Sequence, residues 1–531
     1  MVIPSRVVRM CMLFFLTPLT RLHSPDSSSL PPTEIMIVNR QIATTHLWTR
    51  LAAVLAAAIP FATQPADAGQ PNVVVITIDD LGYADVGPFG STINRTPALD
   101  RMAAEGRRLT SFYAAPVCSP SRSSLMTGCY PKRVLPIPHV LFPVAAVGLA
   151  PRETTLAELL RDAGYDTAAF GKWHLGDQPP FLPTAQGFAT YAGIPYSNDM
   201  GPLADGARSD LGKPIPDPRK RPDAKLPSIH DETGIRGFFQ PPMPFLEETT
   251  VAYRVRAPEQ QQLVSTLTER AVGFITDHGP AGSRQGRPFF LYLPHSAVHF
   301  PIYPGEAFAG RSEHGHYSDW VEEVDASVGE VLDAIRQAGL DRQTLVIFTS
   351  DNGGTKRGSN RPLRGFKGST WEGGLRVCTI CRWPGRIPAG TSSDAITGMH
   401  DILPTVAALA GGTLPEVPLD GRDISEVLFS EPPVAGPHES FLYFRGLDLR
   451  AIRKGRWKLH LDSGELYDLE ADVGESHDLA DEHAQRVAEL TAVAAATDAD
   501  LGRSGIGPGC RPLGRVEEAV PLIPFDDPRL P

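Results

Sequence analysis

The chain has 531 residues and a formal net charge of −11, with 21% charged and 42% hydrophobic residues. These values are ordinary for a globular protein, and the length suits two domains or one large domain with an appendage. The acidic balance argues against a nucleic-acid partner, because binding to phosphate backbones needs an excess of basic side chains.

Residues 1–68 have the pattern of an export leader. The apolar run at 51–62 is too short to span a bilayer comfortably, and Ala-Asp-Ala at 66–68 matches a signal-peptide cleavage site. This order predicts a secretory signal peptide, and hence a periplasmic or secreted protein with no stable membrane span after cleavage. An N-terminal membrane anchor is the alternative. The polar stretch before the apolar run is long for a signal peptide, which makes Met36 a candidate for the true start.

Beyond the leader, apolar runs alternate with helical patterns. This alternation is typical of an α/β fold in which helices sandwich a large, mostly parallel (mixed) sheet. The region 203–250 is rich in proline, glycine and mixed charge, and we interpret it as a long irregular loop that shapes the substrate entrance. The predicted strands are 72–80, 166–174, 287–299 and 344–354, and the predicted helices are 154–165, 258–279 and 317–340.

The sequence pattern changes at about residue 421. Paired strands are predicted within 450–461 and 464–479, followed by a helix at 482–495. Together they indicate a smaller C-terminal α+β subdomain that contains an antiparallel sheet. The predicted organisation is a leader at 1–68, an N-terminal domain at 69–420, and a C-terminal subdomain and tail at 421–531.

Each of the four predicted strands of the N-terminal domain finishes in polar, chemically capable side chains. In open α/β sheets, ligands bind beyond the carboxyl ends of the strands. We therefore expect these side chains to meet at one edge of the sheet, although polar residues at strand ends can also simply begin loops. The side chains are Asp79, Asp80, Lys172, His174, His299, Asp351 and Asn352.

Two of these strand ends supply the ligands of a hard cation. Asp79, Asp80, Asp351 and Asn352 offer three carboxylates and an amide oxygen. Oxygen ligands suit Ca²⁺ or Mg²⁺, whereas zinc favours histidine and cysteine. A cation at this position would hold an anionic substrate group and withdraw charge from it.

The cysteines are few and do not form a disulfide scaffold. Cys118 stands close before Arg122 in PVCSPSRSSLMTG, at 116–128. The ordinary interpretation of a lone cysteine is a small, buried, inert side chain. Cys378 and Cys381 form a single C-x-x-C, which is weak evidence for zinc or redox chemistry and allows a local disulfide. Cys129 is a bystander or a disulfide partner.

The segment at 116–128 resembles the Cys-x-Pro-Ser-Arg modification signature of the type I, formylglycine-dependent sulfatases of the alkaline phosphatase superfamily. Other segments resemble the arylsulfatase and N-acetylgalactosamine-6-sulfatase branch, and the resemblance covers nearly the whole mature chain. Phe170 stands where that family usually has a smaller residue, and Cys378 where it usually has proline. The resembling segments are GYDTAAFGKWHLG, IPYSNDMGP, LPHSAVHFP, SDNGG and RGFKGSTWEGGLRV.

The resemblance implies that Cys118 is oxidised to formylglycine (3-oxoalanine) by a formylglycine-generating or anaerobic sulfatase-maturating enzyme. One hydroxyl of the hydrated aldehyde attacks sulfur and expels the alcohol, and the other, on losing its proton, releases sulfate. The hydrate at position 118 also touches the metal ion, whose other ligands are Asp79, Asp80, Asp351 and Asn352.

The resemblance also assigns the remaining polar positions of the pocket. With the metal, Arg122 activates and holds the nucleophile, and His174 acts as the base of the second half-reaction. Lys172, Lys367 and His299 meet the sulfate oxygens and the leaving oxygen, with His299 as the acid.

The expected function is therefore sulfuric ester hydrolysis of the arylsulfatase kind, on a sulfated small molecule or carbohydrate. Two alternatives stay open at this point. One is a phosphonate or phosphodiester hydrolase of the same superfamily, and the other is a catalytically silent carbohydrate-binding homologue.

Overall fold

The computed structural model describes residues 69–217, 220, 229–237 and 239–525. The predicted signal peptide and the candidate start Met36 lie outside the described residues. The unit that contains the whole described part spans 67–531.

Nineteen strands form four sheets within the described residues. They are β1 (Asn72–Ile78), β2 (Arg107–Tyr113), β3 (Val147–Gly148), β4 (Asp166–Phe170), β5 (Thr190–Gly193), β6 (Ile229–Asp231), β7 (Gly234–Arg236), β8 (Pro244–Glu247), β9 (Thr250–Arg254), β10 (Phe289–Pro294), β11 (Thr344–Ser350), β12 (Arg376–Arg382), β13 (Thr391–Ser393), β14 (Thr397–Gly398), β15 (Ser440–Arg445), β16 (Asp448–Lys454), β17 (Trp457–His460), β18 (Leu466–Asp468) and β19 (Gly514–Arg515).

The α-helices cover most of the segments for which the sequence predicts helices. They are α1 (Pro97–Glu105), α2 (Cys118–Thr127), α3 (Pro131–Val134), α4 (Leu156–Asp162), α5 (Ala257–Gln260), α6 (Leu263–His278), α7 (His316–Gln337), α8 (Glu372–Leu375), α9 (Ile402–Ala410), α10 (Ser425–Phe429) and α11 (Ala484–Asp498). Short 3-10 helices lie at Gly87–Phe89, Pro179–Phe181, Pro183–Gln186, Leu203–Asp205, Asp341–Gln343 and Met399–Asp401.

A mixed sheet of eleven strands is the largest sheet within the described residues. Its order is β13-β2-β12-β11-β1-β10-β4-β5-β8-β9, with β14 beside β2. The central strands β11, β1, β10, β4 and β5 run parallel, and antiparallel pairs flank them on both sides. The predicted fold class, a large mostly parallel mixed sheet with helices, is confirmed.

Strand β1 shows why the centre of the sheet is stable. All seven of its residues are buried, as expected for a parallel strand covered on both faces. Side chains alternate between faces, so Val73 and Val75 join a core cluster that contains Leu159 of α4. Val74 belongs to the other cluster, which contains residues of α6 and α7 such as Val328.

Two central strands end earlier than the sequence suggests. Strand β4 ends at Phe170, before Gly171, whose φ of 143° is a conformation that glycine adopts readily. Strand β10 ends at Pro294, which has no N–H to continue the ladder. The polar residues beyond these strands therefore lie on loops at the sheet edge.

The region 203–250 is irregular over most of its described part, as its composition predicts, but it also contains a short hairpin and ends in strands of the main sheet. Within its described part, β8 pairs with β5 and with β9, so these strands extend the main sheet at one end. Phe245 and Leu246 are buried against the sheet. The prediction missed these strands because they are short and follow a proline-rich stretch.

A four-stranded antiparallel sheet, β15-β16-β17-β18, forms the C-terminal region together with α11. The predicted antiparallel sheet and helix are confirmed, and β15 is an additional strand. Its core contains Ile452, Leu459 and Leu490.

The cysteines of the described residues are free. Cys378 and Cys381 lie on β12, three positions apart, and therefore point to opposite faces of the sheet. Cys378 packs in one core cluster and Cys381 in the other, which excludes the local disulfide. Cys129 is buried and accepts a hydrogen bond from Arg511 at 3.2 Å, so it is not a disulfide partner.

Candidate active site

The four predicted strand ends meet at one edge of the sheet, because β11, β1, β10 and β4 are adjacent and parallel. Asp79 and Asp80 follow β1, and Asp351 and Asn352 follow β11. Lys172 and His174 come from the loop after β4, and His299 from the loop after β10.

Two of these residues have backbone conformations that are uncommon outside glycine. Asp80 has a φ of 63° and His174 a φ of 66°. Such left-handed conformations cost free energy in non-glycine residues and occur preferentially at functional sites. They turn the chain sharply at the sheet edge, next to the other polar side chains.

Cys118 is the first residue of α2, a ten-residue helix whose residues are all buried. Its Sγ lies 3.5 Å from Asp79 Oδ1 and 3.4 Å from Lys367 Nζ. Burial, followed by the Asp79 carboxylate, raises the pKa of the Cys118 thiol to about 12. The encoded side chain is therefore a neutral thiol at neutral pH, which is a poor nucleophile and a poor metal ligand.

Two buried ion pairs hold the carboxylates beside Cys118. Arg122 Nη2 and Nε lie 2.8 Å and 3.0 Å from Asp351 Oδ2, and Lys172 Nζ pairs with Asp79 Oδ2. All four side chains are at most 1% exposed. Arg122 also donates to the carbonyl oxygen of Lys172, so α2 is connected directly to the loop after β4.

The charges of the site determine its ionisation. Burial alone would raise the pKa of Asp79, but Lys172, His299 and Lys367 outweigh it and hold that pKa well below its ordinary value. Burial and the Asp79 carboxylate raise the pKa of Asp351 to about 6. Because the carboxyl groups lie close together, a cation that bound among them would reduce their mutual repulsion.

A third cation, Lys367, lies against Asp80. Its Nζ is 2.6 Å from Asp80 Oδ1, which also accepts a hydrogen bond from Asn352 Nδ2 at 2.8 Å. Burial lowers the pKa of Lys367, but the neighbouring Asp80 carboxylate outweighs burial and holds that pKa well above its ordinary value. Lys367 is therefore charged beside Cys118.

The two histidines have defined tautomers. His174 Nε2 lies 2.8 Å from the carbonyl oxygen of Leu141, so Nε2 carries the hydrogen and Nδ1 keeps its lone pair. Nδ1 is buried and has no hydrogen-bond partner among the described residues. Burial, then Lys172 and Arg122, holds the pKa of His174 well below its ordinary value, so the ring is neutral.

His299 is held by its Nδ1 atom. That atom lies 2.6 Å from the carbonyl oxygen of Phe300, 3.1 Å from Asn198 Oδ1 and 3.3 Å from Ser197 Oγ. Its Nε2 faces Asp80 Oδ2 at 3.7 Å. The hydrogen on Nδ1 fixes the ring so that Nε2 points toward the carboxylates.

The structure also identifies site residues that sequence reasoning left unassigned. Ser197 accepts a hydrogen bond from Lys172 Nζ at 3.1 Å and contacts His299, and Asn198 holds the loop of His299 through its amide. The only sequence signal for them was the family-like segment IPYSNDMGP. Both act on their neighbours by positioning them.

Ligand atoms of four residues lie within 4.8 Å of one another at the centre of the site. They belong to Asp79, Asp80, Cys118 and His299. The sequence assigned Asp351 rather than His299 to this group. Asp351 does not belong to this group, and its Oδ2 accepts hydrogen bonds from Arg122. Its role as a metal ligand therefore stays a prediction.

The site opens into a cavity of about 720 Å³. Cys118, His174, His299 and Lys367 line it, together with Asp199 and Met200. Residues of the C-terminal sheet complete the wall. Among the described residues, no member of 203–250 contributes to it, so the expectation that this region shapes the substrate entrance is not supported by the lining.

A buried ion-pair network connects the loop of Lys367 to the C-terminal sheet. The loop leads into α8, where Glu372 accepts a hydrogen bond from Tyr443 at 2.6 Å and pairs with Lys458 at 2.9 Å. Lys458 also pairs with Glu475 at 2.9 Å, and Glu475 accepts from the backbone N–H of Glu372. The C-terminal sheet therefore supports one wall of the active site.

Comparisons with known proteins agree on a single family. A family model described as Sulfatase matches residues 71–412. Human arylsulfatase A is 38% identical over 405 residues, which cover 73% of this chain and 74% of that protein. Dog N-acetylgalactosamine-6-sulfatase is 35% identical over 428 residues, which cover 78% and 75%.

Solved structures show the same relationship. The crystal structure of the PsFucS1 sulfatase from Pseudoalteromonas sp. superposes with a TM-score of 0.71 at 26% identity, covering 84% of this chain and 92% of that one. Ps i-CgsB, in complex with k-i-k-neocarrahexaose, gives a TM-score of 0.65 at 28% identity, covering 81% and 92%. The chain belongs to the sulfatase family. It is accordingly a sulfuric ester hydrolase, and the predicted enzyme class is confirmed.

Within the described part of the chain, we find no helix with the length and apolar character needed to cross a membrane.

Proposed function

We propose that this sulfatase cleaves sulfate esters of carbohydrates or of other sulfated small molecules through a formylglycine formed from Cys118, beside a bound divalent cation. The observation that carries the proposal is the position of Cys118. It begins a buried helix at the wall of the active-site cavity, with Asp79 and Lys367 within 3.5 Å of its sulfur.

The residues present fit a hard cation, Ca²⁺ or Mg²⁺. Asp79, Asp80 and Asp351 offer carboxylate oxygens, and Asn352 Oδ1 is buried without a hydrogen-bond partner among the described residues. A buried acceptor of this kind is normally satisfied by a donor or an ion. The hydrogen bond from Asn352 Nδ2 to Asp80 fixes the amide so that Oδ1 is free to bind the cation. The cation would supply Lewis-acid polarisation of the ester.

The formylglycine hydrate would supply a hydroxyl nucleophile and a second hydroxyl whose deprotonation releases sulfate. Lys172 and Lys367 would neutralise charge on the sulfate oxygens. The sulfur of Cys118 stands here for an oxygen of that hydrate. The contact of Lys367 with this atom therefore supports a role close to the reacting group.

Proton transfers are assigned to the two histidines. The free Nδ1 lone pair of neutral His174 suits a base, which accepts the proton of the second hydroxyl. Nε2 of His299, when protonated, suits the acid that gives a proton to the leaving oxygen. Arg122 donates hydrogen bonds to Asp351 and thereby orients this proposed ligand of the cation.

The burial of Cys118 bears on maturation. Its side chain is 2% exposed in the folded chain, so a formylglycine-generating or anaerobic sulfatase-maturating enzyme must act before folding is complete. This order agrees with export through the predicted signal peptide to the periplasm or outside the cell.

We also propose the division at 420/421 between the catalytic domain and the C-terminal subdomain.

Steady-state turnover tests the proposal. We expect 4-nitrophenyl sulfate to be hydrolysed with a higher kcat/KM than the corresponding phosphate and phosphonate esters. A strong preference for the phosphonate would support the alternative hydrolase. Binding of sulfated saccharides without turnover, by protein whose residue 118 is converted, would support the silent homologue.

A further inference from the structure

The active-site cavity is larger than a sulfate group requires. Its volume of about 720 Å³ lies in the range of pockets that enclose drug-sized ligands. A sulfate group bound beside Cys118 would fill only a small part of that space. The remaining wall must therefore contact the rest of the substrate, and its charges determine which substrates fit.

Part of that wall is the turn between β15 and β16. Arg445, at the end of β15, is opposite Asp448, at the start of β16, with Gly446 and Leu447 between them. All four residues line the cavity. This turn belongs to the C-terminal sheet, far along the chain from the residues that surround Cys118.

The turn is held firmly against the N-terminal domain. Phe444 and Leu449, which flank it, are buried in the core of the C-terminal region. Gly446 has a φ of 57°, and a Cβ at this position would lie 2.6 Å from the carbonyl oxygen of Pro138. Pro138 lines the same cavity, so the turn packs directly against another part of the cavity wall. This packing fixes the backbone of Arg445 before a substrate binds.

Arg445 is a cation without a partner in a wall whose other charges are mostly neutralised. Within the described residues, its side chain makes no hydrogen bond or ion pair, and the residue is exposed. Its natural partner, Asp448, is used elsewhere, because it pairs with Arg450 at 2.7 Å and accepts a hydrogen bond from Ser504 at 2.7 Å. Asp199, the other acid of the lining, pairs with Arg208.

We propose that Arg445 forms a second anion subsite of this cavity, which binds a carboxylate or sulfate on the part of the substrate that is not cleaved. The proposal rests on the proposed function. It narrows the substrate class to sulfate esters with at least two anionic groups, such as acidic or multiply sulfated saccharides. A guanidinium suits this task, because it binds either oxyanion through two parallel hydrogen bonds.

The test compares selectivity between substrates. Wild-type enzyme, Arg445→Gln and Arg445→Lys are assayed with three sulfated disaccharides. One carries an additional carboxylate, one carries an additional sulfate, and one carries no further charge. We expect Arg445→Gln to lower kcat/KM for the doubly anionic substrates about 10- to 100-fold more than for the singly charged one, mainly through KM. The arm with the larger loss identifies the preferred second anion.

Two controls separate the subsite from general effects. Arg486→Gln removes an exposed arginine of the same C-terminal region that does not line the cavity, and it should leave the selectivity unchanged. Binding is measured by calorimetry in the Cys118→Ala background, where no turnover occurs. There, adding Arg445→Gln should raise the Kd for the doubly anionic disaccharides by a similar factor, and Arg445→Lys by less.

Equal losses on singly and doubly charged substrates, or an unchanged Kd, would overturn the subsite. That result is distinct from failure of the proposed function, which would appear as absent sulfatase turnover in converted wild-type enzyme. The calorimetric comparison tests binding at the Arg445 subsite in either case, because it does not depend on catalysis.

Discussion

Replacing Lys458 by methionine should destabilise the protein strongly. Lys458 Nζ lies 2.9 Å from Glu372 and 2.9 Å from Glu475, and all three side chains are fully buried. Methionine keeps much of the side-chain volume but removes the positive charge between the two carboxylates. The substitution thus isolates the electrostatic contribution of this cation.

The expected loss of stability depends on the two carboxylates, of Glu372 and Glu475, that stay buried without Lys458. Although burial raises the pKa of Glu372, Lys458 is the largest of the opposing influences that hold it well below its ordinary value. Without Lys458, Glu372 keeps its hydrogen bonds from Tyr113 and Tyr443, and Glu475 keeps His460. Removing one partner of a buried ion pair typically costs about 3–5 kcal/mol, which is a large part of the total stability of a domain.

Denaturant unfolding followed by circular dichroism measures this loss. The matched control is Lys454→Met, which removes a surface ion pair with Glu489 from the same sheet and should change stability little. The double variant Lys458→Met/Glu475→Gln should recover part of the loss, because one buried charge is neutralised. If Lys458→Met were as stable as Lys454→Met, the network would not anchor the C-terminal sheet.

Three further predictions concern catalysis and pH. Cys118→Ser should release at most one equivalent of 4-nitrophenol per enzyme and then stop, because a serine can be sulfated but has no second hydroxyl to expel sulfate; rapid-quench assays measure the burst, and steady turnover would contradict it. Lys367→Met should lower kcat about 10²- to 10³-fold in protein that circular dichroism shows to be folded, and a kcat near wild type would remove Lys367 from the mechanism. Glu323 lies on α7, and burial raises its pKa to about 7, so the folded protein contains a buried negative charge above that pH. Glu323→Gln should therefore raise the free energy of unfolding by roughly 3 kcal/mol at about pH 8 and little at about pH 4, whereas an equal change at both would refute the assignment.

The part of the site on the central strands was predictable because sheet geometry is simple. Parallel neighbouring strands bring their carboxyl ends to one edge, so the polar residues after β1, β4, β10 and β11 had to approach one another. Their motif context then indicated which of them carry chemistry. Lys367 was identified only through the resemblance, because it lies on a loop with no periodic pattern.

The opposite wall of the cavity was not predictable. Gly446, next to Arg445, and Pro138 come together through tertiary packing between segments about 300 residues apart, and no local pattern records such a contact. The strands β8 and β9 were missed for a related reason. They are four and five residues long, and sheet pairing, of β8 with β5 and of β9 with β8, stabilises them rather than intrinsic propensity.

We propose that residue 118 is a formylglycine in the working enzyme. Mass spectrometry of the tryptic peptide 109–122, from protein produced with its maturation system, tests it directly. We predict the mass of an aldehyde or its hydrate, in which one oxygen replaces the sulfur and two hydrogens of the thiol, with an occupancy that scales with kcat. A fully active preparation whose peptide carries only the thiol would exclude formylglycine as the nucleophile.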